Sequence, residues 1–154
     1  MGAPNRERAV VDSGVHAGLL LLRVGVGAVF LLVHGGPKLL GGPPVWERVG
    51  AAMGVVGLHV MPVAWGFLAA ASEGIGGRLL VLGLFTRAAA VFMMATMAVA
   101  STMHLSRGDG LQTASHAIEL GIVFAALLFT GPGRYSLDRV LARRLRGGSP
   151  GHLP

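Results

Sequence analysis

Residues Leu19–Leu40, LLLLRVGVGAVFLLVHGGPKLL, are apolar enough to enter a bilayer, yet they carry Arg23, His34 and Lys38. Charged groups are costly on a lipid-facing helix, so these three must face protein or water. From Arg23 to His34 a helix advances about 1100°, a net offset of about 20°, and Lys38 follows one turn later. All three therefore share one face of one helix.

The remaining composition fits a membrane helix bundle. The 154 residues are 53% hydrophobic and only 13% charged, with mean hydropathy +0.65; soluble domains average about 25% charged. A soluble fold of this length could not cover so much apolar surface. The expectation is an all-α integral membrane four-helix bundle, with a short amphipathic interfacial helix between spans one and two.

Absent and clustered residues narrow the function. There is no cysteine, which removes a thiol relay, an iron–sulfur cluster and c-type haem attachment. The net charge is +6, and Arg134, Arg139, Arg143, Arg144 and Arg146 crowd the C-terminal end, with Arg6 and Arg8 at the other. Aromatic residues are not interleaved with them. The pattern favours an end facing anionic lipid in the cytoplasm over a nucleic-acid surface.

In chain order, residues 1–14 are expected as a polar cytoplasmic N-terminus, disordered or interfacial, residues 15–133 as the four-span domain, and residues 134–154 as a basic cytoplasmic tail. The first apolar run ends in HGGPK rather than a small-residue cleavage site, so it reads as retained. Span one covers Val15 to Gly36 and should stop at Gly35-Gly36-Pro37. Val45, Trp46, Val49, Ala52, Met53 and Val56 recur at helical spacing over a run too short to span; the prediction is a helix in the outer interface anchored by Trp46. Spans two, three and four cover Pro62–Leu84, Arg87–Leu105 and Leu111–Thr130. Gly74, Gly76 and Gly77 should admit a close neighbour, and the methionines of span three should fill gaps in the core. With both termini on one side, eight Lys and Arg lie there and three on the other, so both termini are expected in the cytoplasm of a cell with this protein in its inner, plasma membrane.

Counting depth at about 1.5 Å per residue sorts the polar groups into two layers. An inner-to-middle layer holds Arg23, Glu73 and Arg78, either as an ion network that fixes packing or as an anion or carbonyl site. An outer layer holds His34, Lys38, His104, His116 and Glu119; His16 and His59 read as loop or interfacial residues. His116-x-x-Glu119 sets two potential metal ligands on one face, but a di-iron bundle needs more carboxylates than the two intramembrane glutamates. Haem held by two of His34, His104 and His116 is a further alternative.

Three stretches carry a family resemblance: LLLLRVGVGAVFLLVHGGPKLLGG (Leu19–Gly42), ASEGIGGRLLVLGLFTRAAA (Ala71–Ala90) and IELGIVFAALLFTGPGRYSLD (Ile118–Asp138). In order and spacing the chain resembles the DoxX family of small bacterial membrane proteins over about residues 18–140, with GLHVMP departing by an insertion from the GLP-type turn before span two. The resemblance implies a four-helix membrane bundle and a redox association, some members being similar to subunits of quinone-linked dehydrogenases and others tied to quinone or thiol stress. By motif position it points to Arg23, His34, Lys38, Glu73, Arg87 and Glu119.

The leading expectation is a membrane oxidoreductase component that binds a quinone, or a similar lipophilic carbonyl compound, among its helices. Glu73, Glu119 and His34 would handle protons, and Arg23, Lys38, Arg78, His104 and His116 would bind the substrate. Electrons would come from a redox partner protein or a diffusible reductant. The alternatives are a proton-coupled carrier of a small metabolite and a membrane anchor for a soluble redox enzyme. A homo-oligomer is compatible with the glycines of spans one and two.

Overall fold

The structure, a computed structural model, describes residues 3–147. Helix α1 (Ala3–Val29) passes into a π-helical segment (Phe30–Gly35) and then α2 (Gly36–Leu40). After a turn at Gly41 come α3 (Gly42–Gly50) and a 3-10 segment (Ala51–Val56), then α4 (Pro62–Leu82), α5 (Thr86–Ser106), α6 (Gly110–Thr130) and α7 (Leu137–Gly147). There is no strand among the described residues.

Two expectations about span one are corrected. Of the two readings of the polar N-terminus, disorder is overturned, since α1 is helical from Ala3. Nor does Gly35-Gly36-Pro37 end the helix, which runs on to Leu40. Proline in a regular α-helix removes a donor and clashes with the carbonyl four residues back. Here the widened turn comes first, and the Gly36 amide reaches the Leu31 carbonyl, five residues back. The missing donor of Pro37 then falls in the first turn of α2, where no partner is needed.

Arg23, Gly27 and Phe30 are buried at helical spacing, while Leu21, Val29, Leu32 and Val33 are exposed. That is the pattern of a helix with one protein-facing stripe and a lipid-facing remainder. Val10–Leu40, Thr86–Ser106 and Gly110–Thr130 are each long and apolar enough to cross a bilayer. Helix α4 is equally 21 residues long, but glycine, Ser72, Glu73 and Arg78 dilute its apolar content. It packs against α1, α2, α3 and α5 and buries Ala70, Ser72, Glu73, Gly74, Gly76, Gly77 and Leu80. The chain is an all-α membrane protein built around this helix.

Glycines set the spacing, as the sequence suggests. A Cβ on Gly27 would sit 2.7 Å from the Gly77 carbonyl oxygen, and one on Gly35 would overlap the Glu73–Gly74 peptide. Helix α3 meets α4 just as closely, since a Cβ on Gly50 would overlap the Pro62 carbonyl and one on Gly66 the Trp46 carbonyl. The amphipathic helix therefore docks on α4. Trp46 also ties this helix to its neighbours: its indole Nε1 donates to the Lys38 carbonyl at 2.9 Å, and its ring meets Phe67 edge-on at 4.9 Å.

The core joins Phe30, Leu80, Ala89, Ala90, Met93, Met97, Ala117, Phe124 and Leu127. Met93 is fully buried, with its sulfur over Gly76, the gap-filling role expected of a flexible side chain.

Candidate functional site

Beside α4 opens a cavity of about 630 Å³, walled by α2, α3, the 3-10 segment, α4 and α5. Its volume falls within the roughly 300–1,000 Å³ of small-molecule sites. On α4 the lining residues are Trp65, Leu68, Ala69, Ser72 and Glu73; on α5 they run from Phe92 through Thr96 and Met103 to Arg107. Both sets repeat every three or four residues, so each helix lends one apolar stripe interrupted by few polar groups.

The polar heart of the cavity is an ion pair. Lys38 Nζ lies 2.5 Å from Glu73 Oε2; the glutamate side chain is 3% exposed and the lysine 30%. The continued helix explains how they meet. Because the helix that begins as α1 continues past Gly35 into α2, Lys38 is carried one turn further over α4, and the close Gly35–Gly74 crossing sets it against Glu73. Trp46 holds the Lys38 backbone from α3. Nearby, Thr96 Oγ1 donates to Ser72 Oγ at 3.1 Å, fixing the level of α5 against α4. The arrangement offers an ammonium, a carboxylate and two hydroxyls to a ligand otherwise held by apolar walls.

The two polar layers expected from depth are regrouped. Glu73 pairs with Lys38, not with Arg23 or Arg78. Arg23 is fully buried, but its guanidinium donates to the Leu80 carbonyl at 3.1 Å and the Tyr135 carbonyl at 2.5 Å. Asp138 lies within coulombic range of it. Asp138 itself accepts from the amides of Phe85 and Thr86 at 2.8 and 3.0 Å, and its own amide donates to the Gly83 carbonyl at 2.9 Å. Phe85 has a left-handed φ of 47°, a strained conformation for a side-chain-bearing residue, and this double acceptor holds it there. Arg23 thus ties the GPGRYSLD segment to the α4–α5 turn and takes no part in the cavity.

The other candidates disperse. Arg78, Arg87, His116 and Glu119 are exposed; among these, Arg87 lies over Gly131. His34 is half-buried, its ring 5.1 Å from Phe30 and 5.9 Å from His116, and it does not line the cavity. His104 does line it, with Nδ1 at 2.8 Å from Asp109 Oδ2. No three His, Asp or Glu side chains converge as metal ligands among the described residues. Residue counting supplies height along a helix but not the direction a side chain takes around it, which is why Glu119, at a plausible depth, faces outward.

Reasoning from sequence missed Ser72, Thr96, Trp65, Arg48 and Arg107 as cavity residues. A signal existed for two of them. Ser72 directly precedes Glu73, and Thr96 lies eleven residues before Arg107 on the stripe of α5 that faces α4.

A family model described as DoxX matches residues 18–105. The chain is 33% identical over 163 aligned positions to a Mycobacterium tuberculosis protein described as "Uncharacterized membrane protein Rv3486", covering 92% of this chain and 91% of the relative. No solved structure matches.

Proposed function

This chain belongs to the DoxX family, and from that premise we propose that it binds a quinone, or a lipophilic carbonyl compound like one, in the cavity beside α4. The observation that carries this reading is the Lys38–Glu73 pair set in a largely apolar cavity. A carbonyl oxygen gains negative charge on reduction. An ammonium fixed beforehand in a low-dielectric wall stabilises that charge without reorganising. Lys38 keeps two N–H donors after serving Glu73, and one of them would bind the carbonyl. Glu73 holds Lys38 in place and is the group able to accept or return a proton beside it. Ser72 and Thr96 supply hydroxyls for a second oxygen.

A quinone would contribute the two-electron chemistry; the residues of this chain bind, orient and move protons. Electrons come from a partner protein or a diffusible reductant. Both termini lie on the cytoplasmic side by the positive-inside balance. There α7 carries Leu137, Val140, Leu141 and Leu145 exposed along one stripe with arginines beside it, as in helices that rest on an anionic leaflet.

The test is titration of neutral decylubiquinone into the full chain in phosphatidylcholine nanodiscs, read by quenching of tryptophan fluorescence in a Trp46→Phe background, which leaves Trp65 at the cavity wall as the reporter. Saturable quenching in this background, weakened about tenfold or more by Lys38→Met, supports the reading. Quenching no greater than partition into the lipid, or unchanged by Lys38→Met and Glu73→Gln together, overturns it.

A further inference from the structure

The charge on the cavity wall is unevenly placed. Its lining holds Lys38, Arg48 and Arg107 against the single carboxylate of Glu73, with His104 besides. Lys38 and Glu73 neutralise one another at 2.5 Å. Asp109, the acidic group beside His104, is already engaged by that histidine at 2.8 Å. Neither Arg48 nor Arg107 forms a salt bridge among the described residues. Two exposed guanidiniums, without an ion-pair partner among the described residues, therefore border an apolar cavity.

Their position is as informative as their number. Thr96, bonded to Ser72 next to Glu73, marks the level of the ion pair on α5. Arg107 caps the same helix, eleven residues on, a rise of roughly 16 Å. Val99, Ala100 and Met103 line the interval. On the opposite wall, Arg48 lies two residues before Gly50, which packs on Pro62 at the start of α4, so it too belongs to the end away from Glu73. The cavity has a charge-balanced polar end, an apolar stretch and a cationic end.

We propose that the natural occupant carries an acidic group, a carboxylate or a phosphate, held by Arg48 and Arg107 at the end away from the Lys38–Glu73 pair, with Arg107 a rise of roughly 16 Å from the level of that pair. This rests on the reading of the cavity as a lipophilic-ligand site and narrows its substrate class to anionic amphiphiles. Guanidinium groups suit both anions because their planar donors match two oxygens at once. The apolar interval takes the chain or ring that joins the acidic group to the part near Lys38. The paired Lys38 and Glu73 carry no net charge between them, so the two guanidiniums are the stronger attraction for an anion, and that difference fixes the ligand's direction.

The experiment compares labelled laurate and dodecanol, of equal chain length, with the full chain in phosphatidylcholine nanodiscs, counting binding above that of empty nanodiscs. Laurate should bind about tenfold more tightly than dodecanol. That preference should disappear in Arg48→Gln/Arg107→Gln and return in Arg48→Lys/Arg107→Lys. Dodecanol binding unchanged in the double variant shows the cavity intact. Equal binding of laurate and dodecanol, or a preference that survives the loss of both arginines, overturns the proposal. Adding a minor fraction of phosphatidylglycerol separates the two sources of the acidic group: competition with laurate assigns it to a bilayer phospholipid, and lack of competition to a free amphiphile. Neutral decylubiquinone is measured in parallel. If laurate is preferred and the quinone does not bind, the carbonyl reading alone fails; if the quinone binds and laurate gains nothing, the acidic-group proposal alone fails.

Discussion

Removing Lys38 alone should cost about 1–2 kcal/mol more than removing the pair it belongs to. Glu73 is 3% exposed and its carboxylate meets Lys38 Nζ at 2.5 Å. Lys38→Met keeps the apolar stem and deletes the charge, leaving a carboxylate in a membrane interior with no cation. Breaking a buried pair in this way costs about 3–5 kcal/mol. Lys38 retains 30% exposure, so the pair is not fully enclosed and the lower end, about 3 kcal/mol, is the better figure. Glu73→Gln should cost less, about 1–2 kcal/mol, because the lysine left behind is the more hydrated partner and the amide still accepts a hydrogen bond. The double variant Lys38→Met/Glu73→Gln removes the orphaned charge and should be more stable than Lys38→Met alone by about 1–2 kcal/mol. The assay is reversible unfolding in mixed micelles of dodecyl maltoside and sodium dodecyl sulfate, followed by circular dichroism. Strictly additive single effects would refute the reasoning, since they would mean that Lys38 and Glu73 do not interact in the folded protein.

Three further outcomes follow from the geometry. Gly50→Ala puts a methyl group into the Pro62 carbonyl, so α3 must lift from α4, with a cost of about 1–3 kcal/mol; decylubiquinone quenching in nanodiscs should weaken along with thermal stability. Asp138→Ala uncaps the Phe85 and Thr86 amides and releases the segment that Arg23 holds, costing about 1–2 kcal/mol; limited trypsinolysis should then cut the C-terminal arginines faster while the helical core stays intact. His116→Ala and Glu119→Gln alter exposed side chains outside the cavity lining, so the ligand affinities of both variants should stay within about twofold of wild type in the same titration.

The membrane class was legible from Leu19–Leu40 because apolar content over a helix length is a property of local sequence. Helix ends at Pro62, Thr130 and the Phe85–Thr86 turn were legible for the same reason: proline, glycine and short polar runs act within a few residues. The close approach of α1 to α4 was foreseeable from Gly74 and Gly77, since a missing side chain limits distance whatever the partner. The π-helical turn was not. Gly35-Gly36-Pro37 carries the local signal of a helix end, and the choice to widen the helix and continue depends on Gly35 seating against the Glu73–Gly74 peptide.

That choice decided the site. Sequence alone determined that Arg23, His34, Lys38 and Glu73 are charged or polar groups in apolar helices and so must find partners. Only the tertiary structure decided which partners. Lys38 reaches Glu73 because the helix runs past its expected stop, and Arg23 turns to the Leu80 and Tyr135 carbonyls because the chain after α6 folds back over the α4–α5 turn. Sequence position fixes the height of a side chain along its helix. The rotation of each helix against its neighbours comes from the packing of glycine crossings, Met93 and Phe124, and that rotation gathered Ser72, Glu73, Thr96 and Arg107 around one cavity while turning Arg78 and Glu119 away from it.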